Sequence, residues 1–450
     1  MAAIVTDFTR GSIRRQLIQF SAPFFLTNLI QSFYNIADIK IVDMFCGTEG
    51  VAGASIAGSP LNTITYMIVG LCNGGAIMTA QYIGAKNGRG VRETVGTTFA
   101  VMLALAAVTT ALALIFARQI LSALNTPADA FDETLSYFTV CMAGSVFIYA
   151  YNAVGSILRG AGNSKIPMYF GAASCAMNIL LDLLFVGPFG MGVAGAALAT
   201  VMSQAAAAIG AAAYLFKSGF FSGFGGGLLF SAGKLGDIFR LGLPGAIQNM
   251  IVSGGFLMVS SITNSLGTNA ASGVSVAAKI NNFAQLPAGA VGMAVSSMTG
   301  QNVGAGLYDR ARKAFSTAVQ LALIVGAVMF VIVQLFPAQL MGLIISDEAV
   351  ITEAVPYLRI TCFDYLLVAL VFPINGILNG SGHTLFTMLP SVVSSVIARV
   401  PVAFFCTKVL GMGIAGVGLS TPTGTISAIL IGGWFYLTNR WTRRTIKVET

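Results

Sequence analysis

Long apolar runs, separated by short polar segments, follow one another along almost the whole chain. A helix of roughly 20 apolar residues crosses a bilayer core about 30 Å thick. Twelve runs reach that length, with approximate limits 16–42, 52–80, 95–117, 134–158, 166–187, 192–216, 239–264, 272–298, 314–336, 356–378, 385–408 and 413–437. Membrane β-strands would instead be about 10 residues of alternating polarity. The pattern therefore predicts an all-α integral membrane protein with twelve transmembrane helices, spans 1 to 12.

The composition excludes several classes of protein. Of the 450 residues, 56% are hydrophobic and only 9% are charged, whereas soluble domains carry about 25% charged residues. A water-soluble enzyme and a nucleic-acid-binding protein are therefore excluded, although the net charge is +8. The chain also lacks the Walker A, GxSxG and HExxH motifs. We expect no enzymatic activity and no cofactor, and an ion gradient is the expected energy source.

The distribution of charge along the loops predicts the orientation of the chain. Most Lys and Arg residues fall in the loops on the side of the N-terminus, including 84–92 and 217–238, while the opposite loops collect Asp and Glu. Loops rich in Lys and Arg stay in the cytoplasm. Both termini are therefore expected to be cytoplasmic.

The two halves of the chain resemble each other. The segment VGSILRGAGNS at 154–164 matches INGILNGSGHT at 374–384, and GMGVAGAALAT at 190–200 matches GMGIAGVGLST at 411–421. An even number of spans per copy gives a parallel repeat, a plan used by secondary transporters. The predicted organisation is a six-helix bundle at 1–216, a cytoplasmic linker at 217–238 and a second six-helix bundle at 239–450, with the substrate path between the bundles.

Polar residues inside the spans of the first half are the main candidates for ion chemistry. An ionisable group in the membrane costs about 2.5–3.5 kcal/mol, so it needs a role. Asp38 lies in span 1, Asn178 and Asp182 lie on one face of span 5, and Thr200 lies in span 6. A structural role for these residues is the alternative. Their oxygens suit a proton or Na⁺, so they form the predicted ion-coupling site, at which Na⁺ is the alternative to a proton.

Other residues are candidates for the substrate cleft or for movement. Adding 220 to a residue number of the first half gives its equivalent in the second half, so Ala398 corresponds to Asn178 and Val402 to Asp182. Because both equivalents are apolar, the ion chemistry is expected to be concentrated in the first half. Pro23 in span 1 is a candidate hinge, because a proline within a helix removes a backbone hydrogen bond; a static kink is the alternative. The candidate cleft residues, some of which could equally be packing, are Gln31, Tyr34, Tyr137, Asn152, Lys279, Asn282 and Asp364.

The motifs resemble those of the multidrug and toxic compound extrusion (MATE) family over residues 14 to 438. The resemblance rests on YNIAD at 34–38, LRGAGNSKIPM at 158–168, NILLDLLFV at 178–186 and GMGVAGAALATVMSQ at 190–204. It implies two pseudo-symmetric six-helix bundles, a cation site on Asp38, Asn178, Asp182 and Thr200, and bending at Pro23. Gln248 stands where another branch of the family has Glu, so the chain is more similar to the DinF-like branch.

The resemblance implies a function and its partners. The expected activity is the export of amphipathic, mostly cationic drugs or toxic compounds in exchange for H⁺ or Na⁺ by alternating access. The alternatives are a flippase for lipid-linked oligosaccharides and a channel or receptor. The expected setting is a monomer in the plasma membrane, the inner membrane of a bacterium, with organic cations and lipid as partners and no nucleic acid.

Overall fold

Helices account for the ordered elements of the described chain. The computed structural model describes residues 4–128, 130–443 and 445–446, among which no strand occurs. The helices up to the linker are α1 Ile13–Gly84, α2 Gly88–Ile115, α3 Ala117–Ala123, α4 Phe131–Ala143, α5 Ser145–Gly160, α6 Lys165–Val186 and α7 Gly192–Lys217. Those after it are α8 Ala232–Asn264, α9 Thr268–Gly304, α10 Tyr308–Leu335, α11 Pro337–Gly342, α12 Glu348–Thr361, α13 Asp364–Gly380, α14 Leu385–Val392, α15 Arg399–Phe404 and α16 Gly413–Leu437.

The helices of the described residues include the predicted membrane spans. Eight are long and apolar enough to cross a bilayer, or ten when each of two bent pairs is taken as one span. The bent pairs are α4 with α5, at 48°, and α12 with α13, at 44°. The 72-residue α1 contains two predicted spans, whereas the 37-residue α9, which covers span 8, is not among these eight helices. The chain is therefore an all-α, multi-pass membrane protein, as the hydrophobic pattern predicts.

Spans 1 and 2 run together more closely than their separate apolar runs suggest. The backbone remains helical from Ile13 to Gly84 except at Gly47, where φ is 65° and ψ is −166°. This left-handed conformation is accessible to glycine at little steric cost. A single residue therefore separates the two helices that hold spans 1 and 2.

The described residues form two compact units. The first unit contains residues 4–6 and 26–243, and the second contains 7–25 and 244–443 with 445–446. The beginning of α1 thus belongs to the second unit, and the beginning of α8 belongs to the first. The helices change unit just after Pro23 and at Pro244, which are equivalent positions in the repeat.

The N-terminal segment shows why residues 7–25 belong to the second unit. Phe8 is only 1% exposed, and Leu17 and Phe20 lie in the same buried cluster with Met298. The backbone N–H of Phe8 donates to Gln301 Oε1 at 2.8 Å, and Arg310 Nε donates to the Phe8 carbonyl at 2.8 Å. These bonds and apolar contacts attach the segment to the second unit.

The linker region contains its own short structure. Between α7 and α8 a single 3₁₀ turn covers Ser222–Phe224. Arg92 on α2 donates to the carbonyl of Gly225, and the backbone N–H of Ser231 donates to Thr97 Oγ1 at 3.0 Å. The region that was predicted as a linker is therefore attached to the start of α2 within the first unit.

Candidate functional site

A pair of carboxyl groups forms the centre of the candidate site in the first unit. Asp38 lies on α1 and Asp182 on α6, and their carboxyl groups are close enough to share a hydrogen bond when one of them is protonated. Asp182 is 0% exposed. The Oδ1 atom of each residue is buried and has no hydrogen-bond partner among the described residues. The pair therefore keeps two acceptor oxygens available inside the protein.

Asn178 and Thr200 complete the polar cluster. Asn178 precedes Asp182 by one helical turn on α6, so the two side chains share a face. The Asn178 amide is oriented so that both its nitrogen and its oxygen make hydrogen bonds. In this orientation Asn178 donates through Nδ2 to Asp182 Oδ2 at 2.8 Å. Its oxygen accepts from the backbone N–H of Thr200 at 3.0 Å and from the Thr200 hydroxyl at 3.3 Å. Asn178 thereby fixes the Asp182 carboxyl against α7.

Two tyrosines lie beside the carboxyl pair. Tyr34 lies one turn before Asp38 on α1, and its hydroxyl is close enough to Asp38 and Asp182 to interact with them electrostatically. Tyr137 on α4 is close enough to Asp38, Asp182 and Tyr34 to interact with them electrostatically. The rings add aromatic surface next to the acids.

This arrangement can bind a cation by direct electrostatics. Two carboxyl groups in hydrogen-bond contact repel when both are ionised, so a proton or a metal cation stabilises the pair. Four oxygen-bearing side chains, two of them neutral, are donors that suit Na⁺. Among the described residues, no three His, Cys, Asp or Glu side chains form a metal-binding cluster. The cluster suits a proton or an alkali cation better than a transition metal.

The remaining predicted residues of the first unit and the hinge lie elsewhere. Gln31 is exposed on α1, and Asn152 is half-buried, with its Nδ2 donating to the Ile148 carbonyl at 2.9 Å. Pro23 is half-buried in α1, in the stretch that belongs to the second unit. A role for these residues in a substrate cleft or a hinge stays a prediction.

The predicted residues of the second unit differ in burial. Lys279 and Asn282 are exposed on α9, whereas Asp364 is 3% exposed at the start of α13. Gln285 Nε2 donates to Asp364 Oδ2 at 3.4 Å. Asp364 thus lies in a separate polar environment.

Sequence reasoning missed the partners of a second polar cluster. Arg399 on α15 donates through Nη2 to Thr421 Oγ1 at 2.6 Å, and Tyr357 is close enough to Arg399 to interact with it electrostatically. The Arg399 guanidinium also lies 4.6 Å from the centre of the Phe256 ring. The match of GMGVAGAALAT to GMGIAGVGLST pairs Thr421 with Thr200, and this was the available signal.

Known proteins match both halves of the chain. The profile of the MatE family matches residues 23–184 and again residues 244–405, well over half of the chain. The probable multidrug resistance protein YpnP of Bacillus subtilis is 28% identical over 443 residues, covering 97% of each chain. The probable multidrug resistance protein NorM of Thermotoga maritima is 26% identical over 439 residues, covering 96% of this chain and 94% of that protein.

A solved structure supports the same fold. The outward-facing conformation of a multidrug resistance MATE family transporter superimposes with a TM-score of 0.92 at 23% identity, covering 99% of this chain and 100% of that chain. The double match of one profile also agrees with the repeat that the sequence shows. The chain therefore belongs to the MatE, or multidrug and toxic compound extrusion, family of membrane transporters and is not an enzyme.

Proposed function

We propose that this chain exports amphipathic, mostly cationic drugs or toxic compounds in exchange for H⁺ or Na⁺ by alternating access. The observation that carries the proposal is the contact between Asp38 and Asp182 inside the membrane domain, with Asn178 and Thr200 attached to it. The names of the relatives YpnP and NorM, both described as probable multidrug resistance proteins, support the substrate class. The charge pattern supports a bacterial inner membrane location with both termini in the cytoplasm.

The coupling follows from the preferences of two ligands for different states. A proton or Na⁺ at the carboxyl pair removes the repulsion between Asp38 and Asp182 and stabilises the helix positions that keep them in contact. An organic cation is attracted by the same acids when they are ionised, and by the faces of Tyr34 and Tyr137. Since each ligand stabilises a different state, binding one promotes release of the other.

Efflux in everted membrane vesicles tests the proposal and separates the two ions. We expect vesicles with this chain to accumulate an ethidium-like dye when one gradient is imposed, acid inside or Na⁺ inside. Vesicles from the same host without the chain are the control. Equal accumulation with and without the chain, under both gradients, would refute the export of cationic dyes.

Pro23 provides a second test, since it lies where α1 passes from one unit to the other. Proline removes one backbone hydrogen bond and lowers the cost of bending a helix. We expect Pro23→Ala to reduce dye transport at least several-fold while membrane expression stays at the wild-type level, because alanine restores the backbone donor. Transport by the variant at the wild-type rate would show that Pro23 contributes only to packing and is not a hinge.

A further inference from the structure

The repeat gains one residue inside span 11. Residues 374–384 follow their first-half match at 154–164 by 220, but residues 411–421 follow theirs at 190–200 by 221. In the first unit, α6 is an uninterrupted helix over this stretch. Its counterpart contains π-helical turns at Val393–Ala398 and Phe405–Val409. A π-turn accommodates an inserted residue and is frequent at functional sites. We therefore assign the extra residue to the first of these turns, so that residues after it follow their first-half equivalents by 221.

The shifted register pairs Asn178 with Arg399 and Thr200 with Thr421. Hydrogen bonds agree with this pairing, because Asn178 bonds Thr200 in the first unit and Arg399 bonds Thr421 in the second. The expectation from the constant offset of 220, which assigned Ala398 to Asn178, is therefore wrong by one residue. The position that carries a neutral amide in the first unit carries a guanidinium in the second.

Apolar residues replace the two acids in the second unit. Asp182 corresponds to Ala403 by the offset of 221, and Asp38 corresponds to Val259 by the offset that also pairs Pro23 with Pro244. Val259 is 8% exposed and Ala403 is 0% exposed, and both belong to one buried cluster with Tyr357. Tyr357 is the counterpart of Tyr137 at the offset of 220. The second unit thus retains the tyrosine and the threonine of the first-unit site but loses its carboxyl pair.

Asp364 provides the negative charge near Arg399. The Arg399 guanidinium acts electrostatically on Asp364, and Tyr357 and Tyr365 are the other titratable groups that interact with this acid. Nε of Arg399 and Oδ1 of Asp364 are buried without a hydrogen-bond partner among the described residues. Since an isolated charge in the membrane is costly, opposite charges near each other stabilise both groups.

We propose that Arg399 is a built-in cation that takes the place of an exchangeable H⁺ or Na⁺ in the second unit, with Asp364 as its fixed counter-charge. Building on the proposed function, this means that the chain couples transport to one cation site, the Asp38–Asp182 pair of the first unit. The second unit keeps a permanent positive charge where the first unit binds and releases one.

Counting exchangeable cations on the purified full-length chain tests this assignment. The probes are radioactive Na⁺ at saturating concentration and, in parallel, proton uptake between acidic and alkaline pH, each compared between variants. We expect one cation on the wild type and none on the Asp38→Asn, Asp182→Asn double variant. Adding Arg399→Gln to that double variant frees Asp364 and restores one cation, whereas adding Arg399→Lys, the matched control, restores none.

The outcomes separate this inference from the proposed function. A double variant that still binds the wild-type number of cations would overturn the coupling site in the first unit. A double variant that binds none, and still none after Arg399→Gln, would overturn the role of Arg399. If Arg399→Gln does not fold, Asp364→Asn in the wild type decides: an unchanged count supports the built-in cation, and the loss of one cation contradicts it.

Discussion

Asp38→Asn and Asp182→Asn are each expected to abolish gradient-driven dye efflux while the protein reaches the membrane in normal amounts. Asparagine keeps the size of the side chain and most of its hydrogen bonds, but it removes the charge that attracts a proton or Na⁺. Because the two carboxyl groups contact each other, loss of either one removes the repulsion that a cation relieves. We expect transport in everted vesicles to fall to the level of vesicles without the chain.

Asp43→Asn is the matched control for this prediction. Asp43 lies on the same helix as Asp38, but its side chain is exposed, so its replacement should leave transport unchanged. If both Asn variants at the carboxyl pair pump at the wild-type rate, the coupling site lies outside the first-unit cluster. A loss of transport in Asp43→Asn as well would indicate a general charge effect.

Gly380→Leu should strongly reduce the amount of folded protein. A Cβ atom at Gly380 would lie 2.3 Å from the carbonyl oxygen of Ser296, where α13 crosses α9. The equivalent Gly160 would place its Cβ 2.4 Å from the Ala76 carbonyl. Overpacking typically costs about 1–3 kcal/mol, and more where the backbone must move. We expect the monodisperse peak in detergent size-exclusion chromatography to decrease several-fold.

Gly433→Leu serves as the control for helix glycines in general. A Cβ at Gly433, on α16, would meet no atom within 4 Å. This variant should be purified in wild-type amounts. Equal yields of Gly380→Leu and wild-type protein would contradict the close helix approach in the second unit.

The elements of the fold that depend on hydrophobicity could be predicted from the sequence. Helices of spanning length follow from the apolar runs, because the bilayer requires backbone groups to bond within each segment. Asn178 and Asp182 could be placed on one face from their spacing of four residues. The contact of Asp182 with Asp38 depends on packing between α6 and α1, and only the cost of burying acids and the resemblance to a family suggested it.

Features that depend on local backbone geometry could not be predicted. The change of offset from 220 to 221 shows that one residue is inserted between 384 and 411, but the hydrophobic pattern of span 11 does not place it at the π-turns around Arg399. A single offset therefore assigned Ala398, rather than Arg399, to the position of Asn178. The sequence also contains no sign that the beginning of α1 belongs to the second unit and the beginning of α8 to the first. This assignment depends on contacts between residues distant in sequence, such as the hydrogen bond from Phe8 to Gln301.

Substrate-driven cation movement in proteoliposomes tests the central claim most directly. With no cation gradient imposed, a gradient of a cationic dye should drive H⁺ or Na⁺ in the opposite direction through the wild-type chain. The Asp38→Asn, Asp182→Asn double variant should show no such movement. Opposite movement of the cation at the wild-type rate in the double variant would contradict coupling at the Asp38–Asp182 pair.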